Sequence, residues 1–289
     1  MRQTELHQQT PNGSNSSPKA QGLRVSPLRW AGGKRLLVPR LVQFSPKRFR
    51  TYYEPMLGGG ALFFALSPPR AVLGDVNSEL INFYRVLRRR PLVFLHQLSR
   101  LEPSADLYAK IRHARPETPI ERAVAFFYLI RLSWNGLYRV NRFGQFNVPF
   151  GKRSPKELLT RELALSAARA LRGAELESGD FEDVVRDARR GDFVYFDPPY
   201  PRGAAGGSGF ARYSKEIFRI EDHMRLGATA AILAERGVHV LVTEAGRREL
   251  LDCFPRTFSR TLVRTPSLIA ARGTKRRDAY EAVLTSYPI

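Results

Sequence analysis

Residues 193–200 read FVYFDPPY, four apolar residues that run directly into an acidic residue and two prolines. A short, wholly apolar run of this kind predicts a strand that is buried on both faces of a parallel sheet. Asp197 would then lie at the carboxyl end of that strand, where open α/β sheets bind their ligands. The stretch therefore predicts an α/β fold and makes Asp197 a candidate site residue.

The tetrapeptide at 197–200 suits a reaction at an aromatic amine. Such an amine is a poor nucleophile because its lone pair is delocalised into the ring, and acceptors for both of its N–H bonds draw the nitrogen towards tetrahedral geometry. The carboxylate of Asp197 and the main-chain carbonyl of Pro198 can be these acceptors, and proline fixes the direction of the carbonyl in advance. Tyr200 offers a flat face for stacking a base. A turn that merely ends a strand is the alternative interpretation.

A second ligand-binding pattern lies upstream, where a strand, a glycine-rich turn, a helix and a second strand follow one another. Glu54 and Pro55 end the first strand, three glycines occupy 58–60, and Asp75 ends the second strand. Glycine lets the backbone approach a ligand closely, and a carboxylate in the place of Asp75 can accept hydrogen bonds from both ribose hydroxyls. The pattern predicts a nucleoside ligand without choosing among NAD, FAD and S-adenosylmethionine, and it disfavours the turn interpretation of 197–200.

The charge of the chain indicates a polyanionic partner. Its 47 Lys and Arg residues against 27 Asp and Glu give a formal net charge of +20. Such an excess favours binding to phosphates, although it does not separate DNA from RNA or anionic lipid. A merely solvated, arginine-rich surface is the alternative. The one cysteine, Cys253, excludes an internal disulfide and fits a reducing compartment.

The chain divides by composition into three parts. Residues 1–24 are rich in Gln, Ser, Asn and Pro and predict a disordered tail. Residues 25–77 and 160–289 carry the strand patterns and predict the catalytic domain, whereas 78–159 predict a mostly helical, basic insertion. A helix is expected to open at 32–34. No apolar run reaches the length of a membrane span and no signal peptide is recognisable, so we expect a cytoplasmic protein without membrane contact.

Taken together, the motifs resemble the Dam-type family of adenine-specific DNA methyltransferases, in which the cofactor motifs come first and the catalytic motif last. The matching segments are LRWAGGK (28–34), EPMLGGG (54–60), DVNSEL (75–80), WNGLYRVN (134–141), GQFNVPFG (144–151) and DPPY (197–200). The resemblance implies a Rossmann-like methyltransferase sheet that binds S-adenosylmethionine. It also implies that 78–159 form a target-recognition domain for double-stranded DNA.

The resemblance assigns roles to individual residues. The target amine would be held by Asp197, Pro198 and Tyr200. S-adenosylmethionine would be contacted by Trp30, Lys34, Glu54, Pro55, Gly58, Asp75 and Asp197. DNA would be contacted by Arg29, Trp134, Asn135, Leu137, Arg139 and Pro149. Within this set Leu137 is expected to wedge the base stack open and Arg139 to read a guanine edge. No metal is expected, because methyl transfer from a sulfonium needs no Lewis acid.

Some features depart from the family pattern or leave alternatives. Thr243 and Glu244 stand where the family usually has a Ser-Asn-like pair, and Trp134 replaces a more usual tyrosine. The glycine-rich segment 203–209 is expected to be a lid over the flipped base. Related sites methylate cytosine N4, RNA bases or glutamine, but Asp197 favours adenine. A catalytically silent DNA-binding module is disfavoured because the cofactor motifs are intact. The hairpin suggests GATC as the target, and a partner restriction endonuclease is left open.

Overall fold

The computed structural model describes residues 24–151, 157–200, 218–265 and 279–289, which form a mixed α/β fold on a seven-stranded sheet. The strands are β1 (Tyr52–Glu54), β2 (Ala71–Asp75), β3 (Ala174–Ser178), β4 (Phe193–Phe196), β5 (His239–Ala245), β6 (Ser259–Thr265) and β7 (Ala279–Thr285). They are arranged in the order β3-β2-β1-β4-β5-β7-β6. Neighbouring strands are parallel except that β7 runs antiparallel to both β5 and β6. The predicted α/β class is confirmed.

The described residues also form ten α-helices. They are α1 (Val38–Phe44), α2 (Ala61–Leu66), α3 (Ser78–Arg89), α4 (Pro91–Ser99), α5 (Ala105–His113), α6 (Pro119–Leu132), α7 (Arg161–Ala170), α8 (Phe181–Val185), α9 (Ile220–Glu235) and α10 (Arg248–Leu251). The first helix begins at Val38 rather than at 32–34 as expected, because Pro39 favours the first turn of a helix and the preceding residues form turns. None of the helices in the described ranges is long and apolar enough to cross a membrane.

The alternation of side chains along the strands explains why helices cover both faces of the sheet. In β4, Phe193 and Tyr195 enter one hydrophobic core, while Val194 and Phe196 enter the other. All four are at most 1% exposed. Because successive side chains of a strand point to opposite faces, a run of four large apolar residues requires a covering layer on each side. This burial holds the strand that carries Asp197 rigidly at the centre of the sheet.

The strand order creates a crevice at the centre of the sheet. β1 pairs with β2 on one side and with β4 on the other, so the chain order reverses between β1 and β4. The loops that follow such a pair of strands leave the sheet in different directions and open a cleft at the carboxyl ends. The glycine-rich loop after β1 and the acidic turn after β4 therefore face the same cleft.

The chain leaves the sheet after β2 and returns at β3. The intervening segment contains α3 to α7 and a β-hairpin whose bridges join Ser133 to Phe150 and Val140 to Phe146. Arg85 and Arg88 of α3 donate to the carbonyls of Leu176 and Ala174 on β3. These contacts satisfy backbone acceptors of the edge strand and fasten the segment to the sheet.

Two predicted features lie wholly or almost wholly outside the described residues. They are the tail at 1–24, of which only residue 24 is described, and the glycine-rich lid at 203–209. The division into a catalytic domain at 25–77 and 160–289 and a recognition domain at 78–159 stays a prediction.

Candidate active site

Asp197 follows β4 directly, and two neighbouring side chains hold its carboxylate. Its Oδ1 accepts hydrogen bonds from Lys34 Nζ at 2.9 Å and from Thr243 Oγ1 at 2.7 Å. Tyr195 Oη lies 3.0 Å from the same Thr243 hydroxyl. No residue of the described ranges donates to Oδ2, so one oxygen of the carboxylate is oriented while the other can accept from a ligand. Burial raises the pKa of Asp197, against the opposing effect of Lys34.

Lys34 connects the acidic turn at 197–200 to two other groups. Its ammonium lies 3.6 Å from Glu281 Oε2, donates to the Gly32 carbonyl at 3.2 Å, and stands 4.4 Å from the centroid of the Tyr200 ring. The side chain is only 8% exposed. Burial lowers its pKa, but Asp197 and Glu281 together outweigh that effect and the net shift is upward. Lys34 is therefore a charged ammonium throughout the neutral pH range.

Tyr200 is held by its hydroxyl. The phenol donates to Glu281 Oε2 at 2.8 Å. Burial and the nearby carboxylates, Glu281 first among them, raise the pKa of Tyr200 well above its ordinary value, so the phenol keeps its proton. Pro198 is buried beneath the turn. The structure thus brings three predicted residues, Asp197, Tyr200 and Lys34, into one contact network.

Asp75 joins the end of β2 to the glycine-rich loop. Its Oδ2 accepts from Gly58 N at 3.0 Å and its Oδ1 from Asn77 N at 2.9 Å. Each oxygen keeps a further acceptor position, which is what two ribose hydroxyls require. Burial raises the pKa of Asp75 to about 6, while the two backbone N–H groups oppose that shift.

Glu54 and Pro55 are both buried at the end of β1. Glu54 Oε2 accepts from Tyr52 Oη at 2.8 Å and from Phe63 N in the first turn of α2 at 3.2 Å. Burial raises the pKa of Glu54 to about 8. These contacts brace the glycine-rich loop, and the expected contact of Glu54 and Pro55 with the cofactor stays a prediction.

Trp30 lies between the glycine-rich loop and the β-hairpin. Its ring stacks on Tyr138, with centroids 5.8 Å apart and planes inclined by 21°. A Cβ at Gly58 would fall 2.8 Å from Trp30 Cδ1, and Gly58 also has a φ of +47°. Only glycine fits this position, because the backbone conformation disfavours a side chain and the indole fills the space.

The hairpin presents most of the predicted DNA contacts at its surface. Trp134 is 52% exposed, and Asn135, Arg139 and Pro149 are exposed too, whereas Leu137 is half-buried. The guanidinium of Arg139 donates to the side-chain and main-chain oxygens of Asn147, at 2.7 and 3.2 Å. The predicted Arg29 contact lies beside the hairpin: a Cβ at Gly136 would meet the Arg29 carbonyl at 3.3 Å.

The family was tested by comparison with known sequences. The model of the D12 class N6 adenine-specific DNA methyltransferases matches residues 30–265, which is most of the chain. This chain belongs to that family. The resemblance inferred from the motifs is therefore confirmed, and the protein is an adenine-specific DNA methyltransferase.

Curated relatives agree with this assignment. The methyltransferase is 36% identical over 270 residues to the type II methyltransferase M1.LlaDCHI of Lactococcus lactis subsp. cremoris, covering 90% of this chain and 94% of the relative. It is 28% identical to the type II methyltransferase M.MjaIII of Methanocaldococcus jannaschii, over 92% of this chain and all of the relative. It is 32% identical to the DNA adenine methylase of Escherichia coli K12, over 75% of this chain and 79% of the relative.

The family implies S-adenosylmethionine as the methyl donor. The crevice fits this cofactor in two respects. Asp75 offers acceptors to a ribose, and the charges of Lys34, Asp197 and Glu281 leave one net negative charge for a cationic sulfur. Within the described ranges, no group of three or more His, Cys, Asp or Glu residues has a geometry that could hold a metal ion.

Two residues of the site were not predicted as such. Thr243 was noted only as a departure from the family pattern, yet its hydroxyl bonds to Asp197 as a serine there would. Its position at the end of β5, next to β4, is the signal that could have identified it. Glu281 lies on the antiparallel strand β7 and no motif spacing indicates it.

Glu244, the second departure, is a fully buried group. Its Oε1 accepts from Ala245 N at 2.8 Å, and its Oε2 lies 2.9 Å from His223 Nδ1 on α9, which is also fully buried. Burial raises the pKa of Glu244, with His223 opposing. The two groups lie at ion-pair distance, but neither His223 Nδ1 nor Glu244 Oε2 makes a hydrogen bond to a described residue. Glu244 points to the opposite face of β5 from Thr243, because successive side chains of a strand alternate, and its charge raises the pKa of Lys34 and of Tyr200.

Proposed function

We propose that this methyltransferase moves a methyl group from S-adenosylmethionine to N6 of an adenine turned out of double-stranded DNA, with Asp197, Pro198 and Tyr200 holding the amine. The observation that carries the proposal is the state of Asp197. One carboxylate oxygen is fixed by Lys34 and Thr243, and the other accepts from no described residue. Such an oriented acceptor is what a weakly nucleophilic aromatic amine requires.

The reaction follows from the placement of these groups. Bound S-adenosylmethionine supplies a methyl group made electrophilic by its positively charged sulfur. Asp197 accepts a hydrogen bond from one N–H of the target amine and the Pro198 carbonyl accepts one from the other, so the nitrogen lone pair turns towards the methyl group. As the bond from nitrogen to the methyl carbon forms, the bond from sulfur to that carbon would break, and the amine would lose one proton through Asp197 to solvent. Tyr200 stacks on the base and fixes its plane. Because Asp197 must be ionised to accept, methylation should decline at acidic pH, with a midpoint above the ordinary 3.8 of an aspartate.

The cofactor would lie along the rim between β1 and β2. In this proposal Asp75 binds the ribose, Gly58 allows close approach of the backbone, and Trp30 and Lys34 line the opposite wall. Support comes from the acceptor positions left on Asp75, while the indole of Trp30 occupies the space beside the Cα of Gly58. Glu54 and Pro55, at the end of β1, contribute to cofactor binding by holding the glycine-rich loop in place.

The recognition of DNA is assigned to residues 78–159, as a target-recognition domain, with Arg29 beside it. The residues proposed to contact DNA are Arg29, Trp134, Asn135, Leu137, Arg139 and Pro149. Arg139 would exchange its bonds to Asn147 for a bidentate contact to a guanine edge. We propose GATC as the target, and pairing with a restriction endonuclease is a further part of the proposal.

The proposal is tested with Asp197→Ala and the wild type. Both are incubated with tritiated S-adenosylmethionine and a duplex that contains GATC, and the product nucleosides are separated. We expect N6-methyldeoxyadenosine from the wild type, none from Asp197→Ala, and similar DNA binding by both in a gel-shift assay. N4-methyldeoxycytidine in the product would mean that cytosine is the target base. Label on RNA in a parallel incubation would mean that RNA is the substrate. Near-normal methylation by the variant would refute the role of Asp197, and long-read sequencing of DNA from expressing cells gives the sequence context.

A further inference from the structure

Glu281 reaches the methyl-transfer site from outside the catalytic motifs. It lies on β7, which β5 separates from the catalytic strand β4. Its register opposite Ala245 of β5 places it at the carboxyl end of that parallel strand. From there Glu281 Oε2 accepts a hydrogen bond from the Tyr200 hydroxyl at 2.8 Å and lies 3.6 Å from Lys34 Nζ. The side chain is 18% exposed, so these contacts are largely shielded from solvent.

The contact with Tyr200 determines where the aromatic face stands. A phenol tethered only by its backbone can turn about two side-chain torsions. A charge-assisted O–H···O⁻ bond is short and strong, so it restricts both torsions. With Glu281 in place, the ring that stacks on the target base is ordered before the base arrives.

The contact with Lys34 gives its ammonium a second anionic partner beside Asp197. The ammonium donates to Asp197 Oδ1 and to the Gly32 carbonyl, and it forms a longer ion pair with Glu281 at 3.6 Å. A target amine that donates to the free Oδ2 of Asp197 draws on the same carboxylate charge that holds Lys34 at Oδ1. Glu281 lets Lys34 keep an ionic partner in the cleft while the amine binds, and it leaves the site with a net negative charge opposite the sulfonium.

We propose that Glu281 is a positioning residue for methyl transfer, which orients the Tyr200 ring and anchors Lys34 while the target amine occupies Asp197. The inference rests on the proposed function of Asp197 and Tyr200. Glu281 lies outside the six matching segments. The inference assigns it a part in the reaction rather than in the stability of the sheet.

The experiment compares Glu281→Ala, Glu281→Gln, Tyr200→Phe and the double variant Tyr200→Phe/Glu281→Ala. Single-turnover methyl transfer is measured on a duplex with saturating enzyme and S-adenosylmethionine. Glu281→Ala should lower the rate about ten- to a hundredfold, as expected for loss of a bond to a charged group. Glu281→Gln should recover part of it, because its amide oxygen still accepts from the phenol. The double variant should be little slower than the slower single variant, since both act through one bond.

Controls separate positioning from folding. Glu175→Gln, on the exposed side of β3, is the matched strand variant and should retain the wild-type rate. Thermal unfolding is recorded for every variant, and rates are referred to active sites counted by bound S-adenosylmethionine. If Glu281→Ala fails to fold, the isosteric Glu281→Gln and Tyr200→Phe still report on the contact.

Two results would overturn the inference. One is a wild-type rate per active site in Glu281→Gln and Glu281→Ala, whatever their stability. The other is a fully additive loss in the double variant, which would mean that Glu281 does not act through Tyr200. If the wild type itself made no N6-methyldeoxyadenosine, the proposed function would fail instead, so the two failures are distinguishable.

Discussion

Replacement of Thr243 by valine tests whether Asp197 must be oriented by a neighbouring hydroxyl. Valine keeps the branched shape and removes the hydroxyl, whose contacts lie at 2.7 Å to Asp197 Oδ1, 3.0 Å to Tyr195 Oη and 3.5 Å to the Phe196 carbonyl. Thr243 is fully buried, so water does not replace the lost bonds. The carboxylate then keeps Lys34 as its only described partner and can rotate away from the geometry that the amine requires.

The size of the effect follows from the kind of bond that is lost. A hydrogen bond to a charged group contributes about 1.5–3 kcal/mol, which corresponds to a rate about ten- to a hundredfold lower if the orientation matters only in the transition state. The Tyr195 hydroxyl, in a side chain that is 1% exposed, also loses its partner. An unpaired buried hydroxyl should lower the free energy of unfolding by about 1–3 kcal/mol.

A second substitution separates these two consequences. In Thr243→Val/Tyr195→Phe no polar atom of the pair is left unpaired, so stability should return towards that of the wild type while methyl transfer stays slow. Thr243→Ser restores a hydroxyl and should recover most of the rate. The measurements are urea unfolding and single-turnover transfer of a labelled methyl group. The reasoning is refuted if Thr243→Val reacts at the wild-type rate, or if the double variant regains rate together with stability.

Three further outcomes are expected. Arg139→Ala should reduce the preference for the cognate over a singly mismatched duplex by about 1–3 kcal/mol, measured by competition, and an unchanged preference would exclude a base contact. Gly58→Ala should destabilise the fold by about 1 kcal/mol or more and weaken binding of S-adenosylmethionine in calorimetry, because the φ of +47° and the Trp30 ring both oppose a side chain. Burial raises the pKa of Glu54 from 4.5 to about 8, so its contribution to stability is fully present below about pH 4.5 and is lost as the pH rises through about 8. Glu54→Gln should therefore flatten that part of the stability profile in denaturant titrations, and an unchanged slope would contradict a buried, protonated Glu54.

The central elements could be predicted from sequence because their signals are local. The strand at 193–196 has the predicted bounds, and the helix at 61–66 follows the glycine-rich turn in the predicted order. Each is an apolar run that ends at prolines or glycines, and those residues interrupt regular structure wherever they occur. Asp75 and Asp197 follow directly from such strands, so their place at the carboxyl rim needed no knowledge of the tertiary structure.

The remaining features depend on contacts that sequence spacing does not encode. β3 was not predicted, because only Ala174 and Leu176 face inward and its glutamates are poor strand formers. It is a strand because β2 pairs with it and arginines of α3 bond to its carbonyls. Lys34 was expected at a cofactor, whereas its distance to Asp197 depends on how a turn before α1 packs on the sheet.

The topology explains why the hairpin and the glycine-rich loop share a boundary. A connection that leaves after β2 and returns at β3 must start at the carboxyl rim, beside Asp75, because both strands are parallel. The hairpin within that connection therefore projects from the rim that carries Gly58. Trp30 fills the space between them, with Gly58 against one side and the hairpin's Tyr138 stacked on its ring. The effect of a substitution in the hairpin core can thus be transmitted to the glycine-rich loop through the Trp30 indole, without passing through the sheet.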